Sequence, residues 1–246
     1  MSAALPGALR DVGMVSRRYF LALSGLALTS PFSSFGADEV PTLIDHILLG
    51  CRDLDHGIDF VEKHTGVRAA FGGVHPGRGT RNALLSLGEK HYLEIIAPDP
   101  QQSAAPDDYG LQKVDEPRLV GWAAHPGDLN QFATRLRKAK LAFDGPIPGS
   151  RKRLDGRLLQ WQTLNLKDDR DGLLPFFIEW RADTIHPSAD APAGCRIVRF
   201  ELATPDPEKL AKTAALLGLD VEIVKVAKAQ LRATLAGPKG ELSLSS

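Results

Sequence analysis

Apolar and polar positions alternate along the chain in short runs, broken by a few stretches of helical spacing. Leu43–Gly50 is rich in Leu and Ile and predicts a strand with His46, Leu48 and Gly50 on one face. Asp53 offers a helix N-cap, and Leu54, Ile58 and Val61 recur at helical spacing up to a terminating Gly66. Val67–Phe71 reads as a short strand or loop. The turn-rich run His75-Pro76-Gly77-Arg78-Gly79 precedes two apolar runs, Ala83–Leu87 and Tyr92–Ile96, split by Gly88-Glu89-Lys90 as a hairpin loop. In the second run, period 2 places Tyr92, Glu94 and Ile96 on one face. Glu94 is thus a carboxylate inside an apolar strand, costly to bury unless paired, hydrogen-bonded or metal-bound.

The same order returns. Arg118–Ala124 predicts a strand, and Asp128 caps a helix carrying Leu129, Phe132 and Leu136. Leu141–Phe143 follows, then a Pro/Gly turn over Asp144–Ser150 and strands at Leu158–Leu166 and Leu174–Trp180. Glu179 sits in that last strand as Glu94 sits in the earlier one. A third, shorter copy begins at Cys195: a strand at Arg196–Ala203, a helix opened by Asp206-Pro207-Glu208 and closed by Gly218, and strands at Val221–Val226, Gln230–Ala236 and Glu241–Leu244. Core packing is expected of Trp122 and Trp180, solvent exposure of Arg151-Lys152-Arg153, and a surface linker position of His186, whose alternative is to reach over the mouth of a cleft.

The balance of 30 Lys and Arg against 30 Asp and Glu gives no basic field for nucleic acid. No apolar run approaches the ~20 residues of a membrane span. The N-terminus differs from the rest: Ser16-Arg17-Arg18-Tyr19-Phe20-Leu21, a moderately apolar run Ala22–Leu28, and small residues around Gly36. Residues 1–36 resemble a twin-arginine signal peptide, which implies bacterial export to the periplasm or medium and a mature domain over 37–246. An oxidising compartment would permit a Cys51–Cys195 disulfide, but two separate buried thiols are expected.

The repeated units, with a histidine in the first strand and a glutamate in the last, resemble the vicinal-oxygen-chelate superfamily. More narrowly, HPGRGTRNALLSLGEKHYLEIIAPDP together with LPFFIEW resembles its glyoxalase-like domain group, over residues 42 to about 186. The resemblance implies an α+β fold. Paired βαβββ units, about 42–100 and 117–186, form a curved mixed β-sheet around a cleft, and a partial βαββ unit at 195–246 is added. It further implies ligand positions for a divalent metal (Zn, Mn, Ni or Mg) at His46, Glu94 and Glu179. Gly121 stands at the fourth position and has no side chain to bind with. One imidazole and two carboxylates do not suit a ring-cleaving iron dioxygenase, and the missing ligand argues against a glutathione-dependent glyoxalase. Two metal-free alternatives stand beside this. Glu94 and Glu179 are catalytic acid–base groups, with opposed carboxylates pushing one pKa upward, or His46 pairs with Glu94 and Glu179 with Arg78 or Arg81 for structure alone. The loop residues His75, Arg78, Arg81 and Asn82 are candidate ligand contacts, the arginines suiting an anion. The expected function is isomerase, lyase or hydrolase chemistry on a small carbonyl- or enol-containing anionic metabolite, the alternative being non-catalytic binding or sequestration. A homodimer is compatible with the superfamily, whose paired units come from one chain or two.

Overall fold

A computed structural model of the chain describes residues 41–103, 109–153 and 155–246. The twin-arginine-type segment at 1–36 lies outside the described residues.

The first unit runs β1 (Ile44–Gly50), α1 (Leu54–Thr65), β2 (Ala70–His75), β3 (Thr80–Gly88) and β4 (His91–Pro98). Helix α1 forms where expected: the Asp53 side chain accepts from the His56 N–H, and Gly66 takes the left-handed conformation that closes the helix. Its Leu54, Ile58 and Val61 are buried against the sheet. A Cβ at Gly57 would lie 2.6 Å from the Cys51 Sγ and 2.7 Å from Ile95, so only glycine permits the close approach of α1 to the sheet.

The second unit runs β5 (Arg118–Ala124), α2 (Leu129–Lys138), β6 (Phe143–Lys152), β7 (Leu158–Leu166) and β8 (Phe176–Trp180). The two units share one eight-stranded sheet, ordered β2-β3-β4-β1-β5-β8-β7-β6. They join where β1 lies antiparallel to β5, while β1 with β4 and β5 with β8 are parallel. The stretch expected as a Pro/Gly turn is strand β6 instead. It pairs with β7 alone at the sheet edge, with a register shift between Asp144 and Ile147. An edge position tolerates Pro146 and Pro148, because one side of the strand needs no N–H donors.

After a short helix α3 (Pro187–Asp190), the third unit runs β9 (Arg196–Thr204), α4 (Pro207–Leu217), β10 (Glu222–Lys225), β11 (Gln230–Gly237) and β12 (Gly240–Ser245). Its sheet is ordered β10-β9-β11-β12. Phe200 and Leu235 from this unit share one core with Leu85 and Trp122 of the larger sheet. Trp122 is buried as expected, its ring 5.0 Å from Phe200 and its Nε1 donating to the Leu173 carbonyl at 2.9 Å. The architecture is α+β, a curled mixed half-barrel with a second small sheet, as the repeats imply. Cys51 and Cys195 are both buried and unpaired. Burial pushes the Cys51 thiol up to about 12, so it packs as a neutral group. Among the described residues no helix is long and apolar enough to cross a membrane.

Candidate active site

Strand alternation gives the eight-stranded sheet two chemically different faces. Ile47, Leu49, Leu93, Ile95 and Phe177 point to the helices and form the core. His46, Leu48, Tyr92, Glu94, Phe176 and Trp180 point the other way and line a cleft. The cleft has a cavity volume of about 140 Å³, room for a group of roughly benzene size.

Glu94, only 7% exposed, sits on the cleft floor. Its Oε2 lies 3.4 Å from His46 Nε2, and its Oε1 accepts from Asn82 Nδ2 at 2.6 Å and lies 3.4 Å from His75 Nε2. These groups meet because β4 is flanked by β1 on one side and β3 on the other, with Glu94 opposite Leu48 and Leu84. Tyr92 stacks on the His46 ring at 4.4 Å, and the Phe176 edge meets it at 5.5 Å, fixing the imidazole plane.

Asp45 holds His46 from behind. Regular alternation would put neighbouring side chains on opposite faces, but a register shift between Ile44 and His46 turns Asp45 toward its neighbour. Asp45 Oδ1 lies 2.7 Å from His46 Nδ1. Its Oδ2 accepts from Trp180 Nε1 at 3.0 Å and lies 3.2 Å from His186 Nε2. Burial opposes charge on Asp45, but the hydrogen bonds from His186 and His46 more than offset it and hold the carboxyl far below its ordinary range. An ionised carboxylate only accepts, so His46 carries its Nδ1 proton and turns Nε2 toward Glu94.

The other titrations follow from burial and neighbours. Burial also opposes ionisation of Glu94, yet the imidazoles of His75 and His46 and the Asn82 amide prevail, so its carboxyl titrates below the usual value. His75 is pushed down by burial against the opposing pull of Glu94, with Arg151 and Arg78 adding to the depression. Its Nδ1 meets Thr80 Oγ1 at 2.8 Å, and its Nε2 meets the Asn82 amide nitrogen at 3.2 Å. Burial, with Asp45 and Glu94 nearby, raises the Tyr92 phenol well above its ordinary value and keeps it neutral.

Several expected site residues lie elsewhere. Glu179 is on the helix side of β8, between the cleft-facing Ile178 and Trp180, and its Oε2 accepts from the Leu129 N–H at 3.0 Å. It caps α2 and does not oppose Glu94, so Glu179 does not raise the Glu94 pKa. Trp180, expected in the core, lines the cleft. Arg81 alternates with Thr80 and Asn82 and so leaves the cleft, with its Nε buried and unpaired. His75 and Asn82 are in the cleft, and Arg78 stands exposed at its rim. His186 reaches Asp45 instead of lying free in a linker. Arg151, expected in a solvated loop, is 5% exposed and donates through Nη1 to Asn82 Oδ1 at 2.8 Å. The sequence signal for Trp180 was its alternation with Glu179. Asp45 and Arg151 had none, since a bulge and a long-range strand approach place them.

The donor set does not fit the expected three-ligand metal centre. Among the described residues no group of three His, Cys, Asp or Glu side chains is placed to hold a metal ion. His46 and Glu94 converge, but Glu179 faces away, Gly121 offers nothing, and the His75 nitrogen nearest Glu94 is occupied by Asn82. Two donors fall short of the three that open metal sites use.

Paired βαβββ units curled around a cleft define the vicinal-oxygen-chelate fold. The glyoxalase-like domain family matches residues 44–218, and the chain belongs to that family. The crystal structure of a hypothetical protein from Staphylococcus aureus has the same fold, with TM-score 0.58 and 18% identity over 82% of this chain and 84% of that one. Methylmalonyl-CoA epimerase from Mycobacterium tuberculosis aligns at TM-score 0.42 and 20% identity, over 56% of this chain and 87% of the epimerase. The Streptomyces coelicolor epimerase in complex with 2-nitronate-propionyl-CoA aligns at 0.41 and 22%, over 59% and 99%. At 18% identity the likeness to the Staphylococcus aureus protein is one of fold. No curated protein sequence matches the chain.

Proposed function

We propose that the protein is an enzyme that moves a proton on a small anionic carbonyl or enol compound, in isomerase- or lyase-type chemistry, with Glu94 as base. The observation that carries this reading is the buried Glu94 carboxylate on the cleft floor, 3.4 Å from the Nε2 of a histidine whose other nitrogen is held by Asp45. Glu94 takes a proton from the carbon next to the substrate carbonyl, and the electron pair moves onto the carbonyl oxygen as an enolate. Return of the proton to the other face or to a neighbouring atom completes an isomerisation. The proton taken by Glu94 can pass to His46 Nε2, 3.4 Å away, and back before it returns to carbon, and Asp45 stabilises the imidazolium while it is charged. A carboxylate held below its usual pKa is a weak base, so the substrate C–H must already be acidified by a carbonyl.

The test is solvent deuterium incorporation, followed by NMR, into a panel of short oxo and hydroxy acids. Wild type should exchange one C–H position, and Glu94→Gln should slow that exchange by about 10²-fold or more. Equal exchange in both proteins would remove Glu94 as base.

A second reading, ligand binding without turnover, is favoured by the aromatic wall. Trp161 and Trp180 pack at 5.5 Å beside Phe176 and Tyr92, a surface suited to a planar group. Saturable binding with no exchange would support it. Export by the twin-arginine route to the periplasm or medium is also proposed, supported by the SRRYFL segment. Replacing Arg17 and Arg18 by Lys should retain the protein in the cytoplasmic fraction.

A further inference from the structure

Arg151 is a buried cation without a carboxylate of its own. It sits on β6, one edge of the eight-stranded sheet, and its side chain reaches across to β2 and β3 at the opposite edge. Two glycines make room for it. A Cβ on Gly72 would lie 2.5 Å from Asn82 Oδ1 and 3.0 Å from Arg151 Nη1, and one on Gly73 would lie 2.9 Å from the same nitrogen. The nearby acids are used elsewhere: Asp155 and Asp190 pair with Arg153 and Arg157. Glu94 is engaged by His46, His75 and Asn82. Among the described residues no carboxylate lies within ion-pairing distance of Arg151, whose one side-chain hydrogen bond goes to the neutral Asn82 amide.

Burial works against the guanidinium charge, with Glu94 the largest opposing influence. Arginine does not discharge in response, and the nearest opposing charge, Glu94, lies beyond the Asn82 amide and not in contact, so the guanidinium keeps donors for an anion entering from the cleft. The cleft is the open side, since Arg151 lines it. Arg78 at the rim adds a second positive group on the way in.

We propose that Arg151 binds the carboxylate of the ligand, a short carboxylic acid whose acid group lies one or two carbons from the carbon that loses its proton to Glu94. The first half stands on the unpaired guanidinium alone, and the second rests on the proton-transfer reading above. The planar fork of the guanidinium matches a planar two-oxygen group. The spacing follows from Asn82, whose amide links Arg151 at 2.8 Å to Glu94 at 2.6 Å. One amide group therefore separates the cation from the base, and a ligand bridging both must be comparably short.

The probes are malonate, its neutral diamide and inorganic phosphate, titrated into the full chain by calorimetry with thermal shift alongside. Malonate should bind saturably and the diamide should not. Arg151→Gln should weaken malonate about tenfold or more, the scale of one lost charged hydrogen bond. Arg151→Lys should recover part of the affinity, and Glu94→Gln should keep or strengthen it. Equal malonate affinity in wild type and Arg151→Gln overturns the proposal, as does equal binding of the diamide or tighter binding of phosphate. The comparison of malonate with its diamide needs only wild type, so it decides even if Arg151→Gln does not fold. Deuterium exchange separates the two readings. Malonate binding that depends on Arg151, with no exchange on any short acid, sinks the base and leaves the carboxylate site standing. Exchange that depends on Glu94 but not on Arg151 does the reverse.

Discussion

Asp45 and His75 show how single side chains set the protonation of the cleft, and each makes the fold sensitive to acid. The Asp45 and Glu94 carboxyls are held below their unfolded values, so the stability they contribute is present above about pH 4 and is lost as pH falls toward their folded values. His75 has a depressed folded pKa, so the unfolded chain binds more protons below about pH 6.5 and stability falls with pH there as well. A melting-temperature series should therefore decline from pH 7.5 to pH 5, and His75→Gln should flatten the decline. An unchanged slope in that variant would mean that His75 is not a source of it. His125, also pushed down by burial, accounts for part of any slope that remains. The three donors on Asp45 were not legible in the sequence. Two of them, Trp180 and His186, are 135 and 141 residues away, and the third faces it only through a bulge.

At the scale of elements, β8 separates what local pattern can tell from what it cannot. The helices and most strands were legible, because caps such as Asp53 and Asp206 and the apolar spacing act locally. The face of Glu179 was misassigned by likeness to Glu94, although alternation within β8 places Phe177 and Glu179 on one side and Ile178 and Trp180 on the other. Glu179→Gln should leave ligand binding and any exchange within about twofold while costing about 0.5–1 kcal/mol of stability through a weakened helix cap. A large loss of activity with stability unchanged would return Glu179 to the site. Strand β6 was hidden by its Pro and Gly content, which resembles a turn and marks an edge instead. Opposite it, Gly72→Ala should push Asn82 away from Arg151, because the added Cβ would come within 2.5 Å of the Asn82 amide oxygen. The expected result is weaker malonate binding with the fold retained.

Across the whole molecule, the internal repeats made the fold readable, whereas the site depends on contacts that close the curled sheet. His46, His75, Asn82 and Glu94 all come from the first unit, while Arg151, Trp161 and Trp180 come from the second. The groups assigned to proton transfer thus stand on β1 and β4, and much of the wall and the anchor stand on β6, β7 and β8. In a duplicated fold this division lets the halves diverge independently. On the proposed function, substitutions along β6 and β7 would change which acid is held without disturbing the carboxylate and imidazole proposed to act on it. Homologous chains that share the first unit and differ in the second would then form a series with one reaction and many substrates, separated by the contents of two edge-side strands.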